Sequence, residues 1–477
     1  MKLLIRNGRV IDPGQQLNQL ADIWIDQGKI MAITPLEPER AKTEGSAGAA
    51  GVVAVKGAAG LVEAADPTAT AMAGITSAAR DESLTAEVKV IDAQGKLVVP
   101  GLIDLHVHLR EPGFERKETI ATGTRAAARG GFTTVACMPN TRPVADSRAV
   151  VEFIREQARA AGVVNVYPIG AITKESRGEE LAEMADLAAG GAVAFSDDGR
   201  PVMNAQVMRL ALEYARIGDW PLIAHSEDSN LACEGQMHEG YWSMLLGLKG
   251  IPSTAEEVMV ARDILLAEMT GSRLHIAHVS SAGTVELIRA AKKRGVKVTA
   301  EVTPHHLTLT DEIVSKTGFS TYTKVNPPLR AESDRQALLA GLVDGTIEVI
   351  ATDHAPHTLE EKDCEYNFAP CGISGLETAV PLVWTELIER KVLGVEQLLA
   401  CMTINPARIL GLAKGSLAIG AEADLTIIDP NVSQIVRVAE FVSLGKNSPF
   451  DGFTLKGWPV ATIVGGRLVM QDGRLLV

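Results

Sequence analysis

Residues 101–113 read GLIDLHVHLREPG, a short apolar segment that ends in two histidines, His106 and His108. Seven more short apolar segments follow along the chain, and stretches with the periodicity of amphipathic helices separate them. Because parallel strands need right-handed helical crossovers, eight such units in sequence predict an α/β fold, a closed TIM-like (β/α)8 barrel. The predicted strands end near His108, Asn140, Ile172, Asp198, His225, His278, Thr303 and Asp353.

Both ends of the chain have a different pattern. Polar and apolar residues alternate around glycine turns, for example over residues 22–30 near the start and residues 424–429 near the end. Such segments are typical of short strands. We therefore predict a small β-sandwich domain built from residues 1–100 and 413–477, with the catalytic barrel at residues 101–412 between them.

The stretch from residue 35 to residue 87 differs in composition from the rest of the chain. It holds 15 alanines and 6 glycines in 53 residues and has no aromatic residue. Without bulky apolar groups, little burial offsets the entropy lost on ordering. We predict a flexible Ala/Gly-rich insertion here, and its role stays open.

The overall composition limits the class of protein. Of the 477 residues, 46% are hydrophobic and 22% are charged, which fits a globular chain with a large core. A net charge of −13 disfavours nucleic acid and anionic membranes as partners. No segment has the length of a membrane span, and the start lacks the apolar core of a signal peptide. Five scattered cysteines predict a reducing, cytoplasmic setting.

The histidines cluster where a barrel enzyme places its reactive groups. Nine of the ten lie in or just after the predicted strands, with His238 as the exception. Since successive side chains of a strand point to opposite faces, Asp104, His106 and His108 would point into the barrel. Ile103, Leu105 and Val107 would then face the helices.

The same reasoning selects the partners of these two histidines. It favours Asp198 over Asp197, and His278 over His275, as the inward group at a strand end. Four neutral imidazoles and two carboxylates suit a borderline divalent ion such as zinc, but they are too many for one tetrahedral ion. We expect two hydroxide-bridged zinc ions, with Asp198 as a bridging or a third ligand. The predicted ligands are His106, His108, Asp198, His225, His278 and Asp353.

Three motifs in order resemble those of a known family. They are residues 101–113, CMPNT at residues 137–141 and DHAPH at residues 353–357. Together they resemble the dihydroorotases of the amidohydrolase superfamily, most closely the long, type I bacterial branch. The similarity covers nearly the whole chain outside residues 35–87. It implies reversible, zinc-dependent cyclisation of N-carbamoyl-L-aspartate to L-dihydroorotate in pyrimidine biosynthesis.

The resemblance also implies roles for individual residues. His106, His108 and Asp353 match the ligands of one ion, His225 and His278 those of a second, and Asp198 the bridging carboxylate. Asp353 would accept the proton of the attacking water and pass it to the ring nitrogen. Arg110, whose guanidinium can hold a carboxylate through two hydrogen bonds, is among the expected substrate contacts. These contacts are Arg110, Asn140, Asn326, His357 and the backbone of Gly372.

Several nearby residues receive weaker assignments. Cys371 stands where the family commonly has an aromatic residue, which leaves the packing of the Gly372 loop open. The ligand set is complete without His305 and His306, so we expect them to hydrogen-bond to the site rather than to bind metal. We expect the same of Asp104, and we expect His275 to be a packed or hydrogen-bonded structural residue.

Two alternative functions stay open at this point. Allantoinases and hydantoinases share the barrel but typically bridge their metals with a carboxylated lysine after strand four, where this chain has Asp197 and Asp198. A non-catalytic scaffold for aspartate transcarbamoylase would have lost ligand histidines, and none is lost here. We further expect a homo-oligomer, a dimer, and association with aspartate transcarbamoylase stays open.

Overall fold

The computed structural model describes residues 2–36 and 88–477. Apart from Pro35 and Leu36, the predicted insertion at residues 35–87 lies outside the described residues. Pro35 itself ends a strand and does not begin the insertion. None of the helices in the described ranges has both the length and the apolar character needed to cross a membrane.

The strands are β1 (Lys2–Asp12), β2 (Leu17–Asp26), β3 (Lys29–Pro35), β4 (Val88–Asp92), β5 (Leu97–Pro100), β6 (Leu102–Val107), β7 (Phe132–Cys137), β8 (Asn165–Pro168), β9 (Phe195–Ser196), β10 (Leu222–Ala224), β11 (Met237–His238), β12 (Gly250–Ile251), β13 (Leu274–Ile276), β14 (Val298–Val302), β15 (Val349–Ile350), β16 (Leu425–Ile435), β17 (Thr454–Val464), β18 (Arg467–Gln471) and β19 (Arg474–Leu475).

The α-helices are α1 (Ile120–Arg129), α2 (Arg148–Ala161), α3 (Met184–Gly190), α4 (Ala205–Ala215), α5 (Ser229–Ala232), α6 (Tyr241–Leu246), α7 (Thr254–Thr270), α8 (Ala282–Lys293), α9 (Pro304–Thr308), α10 (Glu312–Lys316), α11 (Glu332–Val343), α12 (Leu359–Lys362), α13 (Ala379–Val383), α14 (Val395–Met402) and α15 (Ile404–Leu410). A short π-helix, Trp384–Glu389, follows α13 directly.

Eight parallel strands follow one another around the central part of the chain. β6, β7 and β8 form one parallel sheet, and β9, β10, β13, β14 and β15 form another. A bridge between Gly170 and Phe195 joins the two sheets on one side, and a bridge between Val107 and His354 joins them on the other. The eight strands predicted from sequence are all present, and the carboxyl ends of these parallel strands lie on the same side.

Two hydrophobic clusters lie on opposite faces of these strands. The larger cluster contains Val107 and Phe195 together with apolar residues of the surrounding helices. The smaller one gathers Leu105 with Ala136, Ile223 and similar residues from most of the eight strands. Leu105 therefore does not share the helix-facing side of Val107, and our prediction for it is wrong. The register between β6 and β7 shifts from Asp104 to Val107, and such a bulge interrupts the strict alternation that the prediction assumed.

The two ends of the chain meet in one sheet. Nine strands form it, in the order β19-β18-β17-β16-β5-β1-β2-β3, with β4 paired to β1. A separate core on this sheet combines residues from both ends of the chain, such as Ile5 and Ile23 with Ile427 and Ile463. The shared origin from both termini is as expected, whereas the division into two stacked layers stays a prediction. Gly101 separates β5 of this sheet from β6 and donates its N–H to the backbone carbonyl of Asp424 at 2.8 Å.

Candidate metal centre

The six predicted ligands all lie at the carboxyl ends of the parallel strands. His106 is in β6, and His225 follows β10 directly. The other four lie within a few residues of a strand end: His108, Asp198, His278 and Asp353. Each of the six side chains is buried, so the fold collects them in one enclosed region.

Asp198 lies between two pairs of histidines. Its Oδ1 is 3.4 Å from His106 Nε2, and its Oδ2 is 3.5 Å from His108 Nε2. On its other side, Asp198 Oδ1 is 3.6 Å from His225 Nδ1 and 3.5 Å from His278 Nε2. The two latter ring nitrogens are 3.0 Å apart. This carboxylate therefore contacts all four imidazoles.

Asp353 belongs to the first pair. Its Oδ1 lies 3.0 Å from His108 Nε2 and 3.5 Å from His106 Nε2. Candidate ligand atoms of His106, His108 and Asp353 all lie within 4.8 Å of one another, and so do those of His106, Asp198 and His278. The structure thus brings all six predicted residues together.

The unsatisfied polar atoms of this cluster fit a cation. His106 Nε2 and Asp198 Oδ1 are buried 3.4 Å apart but have no hydrogen-bond partner in the described part of the chain. A buried polar atom without a partner is destabilising, and such exceptions call for a cause. Imidazole nitrogens and carboxylate oxygens that converge on one point are suited to a divalent ion such as zinc.

The neighbouring charges keep the carboxylates ionised. Burial raises the pKa of Asp198, but the charge of His106 and the close contacts with His106, His225 and His278 together outweigh burial and hold the pKa well below its ordinary value. Burial also opposes ionisation of Asp353, yet its hydrogen bond with His108 and the charge of His106 lower its pKa to about 2. Both carboxylates are therefore charged at neutral pH, as metal binding requires.

Strained backbone conformations also occur at the site. Arg110, His278 and Asp353 have φ values of 62°, 30° and 47°. L-residues other than glycine rarely adopt this left-handed conformation, and it persists only where the surrounding structure enforces it. Three of the predicted site residues share it, which supports a functional cause for their orientation.

Glu301 is a part of the site that the sequence analysis missed. This fully buried carboxylate in β14 accepts hydrogen bonds from His106 Nδ1 at 2.5 Å, from His275 Nε2 at 3.2 Å and from the His278 backbone N–H at 3.2 Å. Donation from Nδ1 to Glu301 leaves Nε2 as the ligand atom of His106, and loss of the Nε2 proton on metal binding would free its lone pair. Glu301 thus orients one ligand of each predicted ion.

We expect Glu301→Gln to weaken metal binding by roughly 10- to 100-fold, the usual effect of losing a carboxylate that orients a histidine ligand. Titration of the metal-free protein with zinc against a competing chelator measures the affinity. Asp12→Asn is the matched control, because Asp12 is an equally buried carboxylate that accepts N–H groups of Gly14 and Leu417 in the terminal sheet. Equal affinities of the Glu301 variant and the control would contradict this role.

Other polar residues near the site support its backbone. Asp104 accepts the N–H and hydroxyl of Thr352 and the N–H of His106, and burial raises its pKa to about 7. His275 hydrogen-bonds to Thr299 and Glu301, as a structural residue would. Asp104 therefore bonds to the backbone of the proposed ligand His106 and to Thr352, the residue before the proposed ligand Asp353. These hydrogen bonds do not involve the side chain of a proposed ligand.

The histidine pair after β14 behaves unequally. His306 hydrogen-bonds to the Thr303 hydroxyl at 2.7 Å and to the Pro327 carbonyl at 3.0 Å. His305 Nε2 is buried with no hydrogen-bond partner within the described ranges, and burial holds its pKa well below its ordinary value. His306 thus makes hydrogen bonds as expected. Nε2 of His305 does not make the hydrogen bond that we predicted.

The two predicted asparagine contacts lie beside the ligands. Asn140 Oδ1 is 2.9 Å from His108 Nδ1, and its Nδ2 donates to Asp198 Oδ2 at 3.5 Å. Asn326 Nδ2 is 3.5 Å from His225 Nε2, and its Oδ1 is buried without a partner among the described residues. Asn140 therefore also holds two ligands, a role the sequence analysis did not assign.

The remaining predicted contacts meet on neighbouring loops. Arg110 Nε donates to the Pro356 carbonyl at 3.3 Å, and His357 Nε2 donates to the Cys371 carbonyl at 2.9 Å. Gly372 has a φ of 140°, and a Cβ there would lie 2.7 Å from the Ala355 carbonyl oxygen. Only glycine fits this conformation and this close approach. The Gly372 N–H already donates to the Lys324 carbonyl at 2.9 Å.

The chain matches known protein families. A model described as dihydro-orotase-like matches residues 95–284, and one described as an amidohydrolase family matches residues 369–470. The chain is 64% identical over 472 residues to a dihydroorotase of Pelotomaculum thermopropionicum, covering 99% of both chains. It is 49% identical over 472 residues to a dihydroorotase of Syntrophus aciditrophicus, covering 99% of this chain and all of that one.

Solved structures with the same fold are more distant in sequence. An L-hydantoinase (dihydropyrimidinase) from Arthrobacter aurescens superposes with a TM-score of 0.81 at 26% identity, covering all of this chain and 97% of that one. A dihydropyrimidinase from Brevibacillus agri gives a TM-score of 0.78 at 22% identity, over 100% and 96% of the chains. The shared architecture is that of the amidohydrolases.

Proposed function

The chain belongs to the dihydroorotase family of the amidohydrolase superfamily, and from this premise we propose that it interconverts N-carbamoyl-L-aspartate and L-dihydroorotate in pyrimidine biosynthesis. It is an enzyme of the cyclic amide hydrolase class. The observation that supports the reaction most strongly is the contact of one carboxylate, Asp198, with four buried imidazoles at the strand ends.

We propose that two zinc ions bind here. His106, His108 and Asp353 would hold one, His225 and His278 the other, and Asp198 both. His106 Nε2 and Asp198 Oδ1 support this assignment, because both atoms are buried, lie 3.4 Å apart and have no hydrogen-bond partner among the described residues. When bound, such ions lower the pKa of water from about 15.7 towards roughly 7 and polarise a carbonyl oxygen.

Asp353 is the proposed proton carrier. In the hydrolytic direction its carboxylate accepts a proton from the attacking water and delivers it to the departing ring nitrogen, and ring closure reverses both transfers. The low pKa of Asp353 keeps it unprotonated and ready to accept at neutral pH. Its backbone, held at a φ of 47°, directs the side chain towards His108.

The proposed substrate contacts surround this group. Arg110 would hold the carboxylate that both substrate and product keep, with Asn140, Asn326 and His357 as further side-chain contacts. Burial lowers the pKa of the Arg110 guanidinium, but the group is charged at any physiological pH. A planar cation in an enclosed site selects a carboxylate better than a point charge does.

We expect Arg110→Lys to raise the KM for L-dihydroorotate by about 10- to 100-fold, because the bidentate geometry is lost while the charge is kept. Steady-state kinetics in both directions measure the effect. Arg116→Lys is the matched control, since Arg116 is exposed on the same loop and its KM should stay at the wild-type value. An unchanged KM in Arg110→Lys would remove Arg110 from the substrate site.

Comparison of three ring substrates tests the function itself. Zinc-loaded protein should hydrolyse L-dihydroorotate and should turn over hydantoin and allantoin far more slowly, since neither ring carries the carboxylate that Arg110 would bind. Preferred turnover of hydantoin or allantoin would favour a different cyclic amidohydrolase. No turnover of any substrate after zinc loading, with aspartate transcarbamoylase still bound, would favour a scaffold.

The architecture and setting complete the proposal. We propose that the eight parallel strands form a (β/α)8 barrel at residues 101–412, flanked by a β-sandwich from residues 1–100 and 413–477. The two bridges that join the sheets around the strands support the barrel. We also propose a cytoplasmic dimer that can associate with aspartate transcarbamoylase. The five free cysteines fit that compartment.

A further inference from the structure

A segment far along the chain packs against the proposed substrate loops. Residues 442–447, here called the C-terminal strap, lie in the connection between β16 and β17, two strands of the terminal sheet. Glu377 accepts the N–H groups of Val442 and Ser443 at 2.8 and 3.1 Å, and Glu118 accepts the Leu444 N–H at 3.3 Å and the Ser443 hydroxyl. Both carboxylates are buried, so the strap is firmly attached to the rest of the fold.

The last residue of the strap, Asn447, bonds to both loops. Its Nδ2 donates to the Ala355 carbonyl at 3.0 Å and to the Gly372 carbonyl at 2.9 Å. Its Oδ1 accepts the His357 N–H at 2.9 Å and the Ser374 hydroxyl at 2.9 Å. Both donors and both acceptor positions of this buried amide are therefore in use.

Gly445 lets the strap approach this closely. A Cβ on Gly445 would lie 2.4 Å from Pro356 Cβ and 2.7 Å from Ser374 Oγ. These residues belong to the same two loops that Asn447 joins. The Pro356 carbonyl also accepts a hydrogen bond from Arg110. The position of the strap therefore also affects Arg110, the residue proposed to bind the substrate carboxylate.

We propose that Asn447 is a positioning residue that keeps the loop of residues 355–357 and the loop of residues 372–374 at a fixed distance, and thereby sets the substrate affinity. The inference rests on the proposed function, since it assumes that His357 and Arg110 contact the substrate. The side chain of Asn447 makes its hydrogen bonds to Ala355, His357, Gly372 and Ser374 and not to the six proposed metal ligands, which lets its effect be separated from loss of metal.

The exchange Asn447→Asp tests this role with almost no change in shape. It replaces two N–H donors by an oxygen that faces two carbonyl oxygens, so the loops must separate or rotate. We expect the KM for L-dihydroorotate to rise about 10-fold or more, with kcat changed by less than about threefold and zinc content unchanged. Gly445→Ala should raise the KM in the same direction, because its Cβ pushes the strap from Pro356.

Asn165→Asp is the matched control. Asn165 Nδ2 donates to the Thr133 carbonyl at 3.0 Å and to Asp424 at 2.9 Å, near the boundary with the terminal sheet. Its exchange should lower the unfolding temperature and leave the KM at the wild-type value. A KM for Asn447→Asp within about threefold of wild type, whatever its kcat, or an increase matched by loss of zinc, would overturn the inference. If Asn447→Asp does not fold, the KM of Gly445→Ala decides by the same limits.

The wild-type protein separates this inference from the proposed function. If zinc-loaded wild type does not turn over L-dihydroorotate, the proposed function fails. If wild type is active and Arg110→Lys raises the KM while the Asn447 and Gly445 variants do not, the function stands and the positioning role of Asn447 is wrong.

Discussion

Asp353→Asn should lower the turnover of both L-dihydroorotate and N-carbamoyl-L-aspartate by roughly 1,000-fold or more, within the range that a positioned general base contributes. An amide has nearly the same shape and an oxygen that still reaches the ion, but it cannot accept and release the proton. Because Asp353 Oδ1 lies 3.0 Å from His108 Nε2, the variant should keep that neighbour in place and much of its metal.

Two measurements on the same preparation check this expectation. Steady-state rates in both directions give the loss of kcat, and elemental analysis gives the zinc bound per chain. Near-normal rates would remove Asp353 from the proton transfer. A large loss of zinc together with activity would instead make Asp353 mainly a ligand.

Asp198→Asn should remove most of the bound metal and lower activity at least about 100-fold. The change takes one negative charge from between the two proposed ions, where charge and ligand type decide affinity. Asp198 contacts all four histidines at 3.4–3.6 Å, so its loss should weaken both sites together.

The preceding residue offers a matched control for this change. Asp197 is buried too, but it accepts the N–H groups of Ile172 and Thr173 at 2.9 and 3.1 Å and the Thr173 hydroxyl, away from the histidines. We expect Asp197→Asn to lower the unfolding temperature and to keep the zinc. Equal zinc content in the two variants would contradict the bridging role of Asp198.

The strand ends and the clustering of the six proposed ligands could be predicted from sequence because both follow short-range rules. Parallel strands place their carboxyl ends on one side, so polar residues just after successive apolar segments had to meet there. Alternation then separated Asp198 from Asp197. The family resemblance added predicted substrate contacts that no spacing argument could supply, as with Asn326.

The sequence analysis missed or misplaced three residues, each for a different physical reason. Glu301 was within reach of the same reasoning, because Val298, Ala300 and Val302 pack with the helices and leave Glu301 on the other face. Leu105 was misplaced because the register shift in β6 cannot be read from the apolar pattern. Asn447 was out of reach: it lies 90 residues from His357, and only the folded chain brings the two together.

Anomalous X-ray diffraction from zinc-loaded crystals at the zinc absorption edge tests the central claim most directly. The account predicts two peaks, one bound by His106, His108 and Asp353, the other by His225 and His278, with Asp198 touching both. A single peak, or peaks bound by other residues, would contradict it.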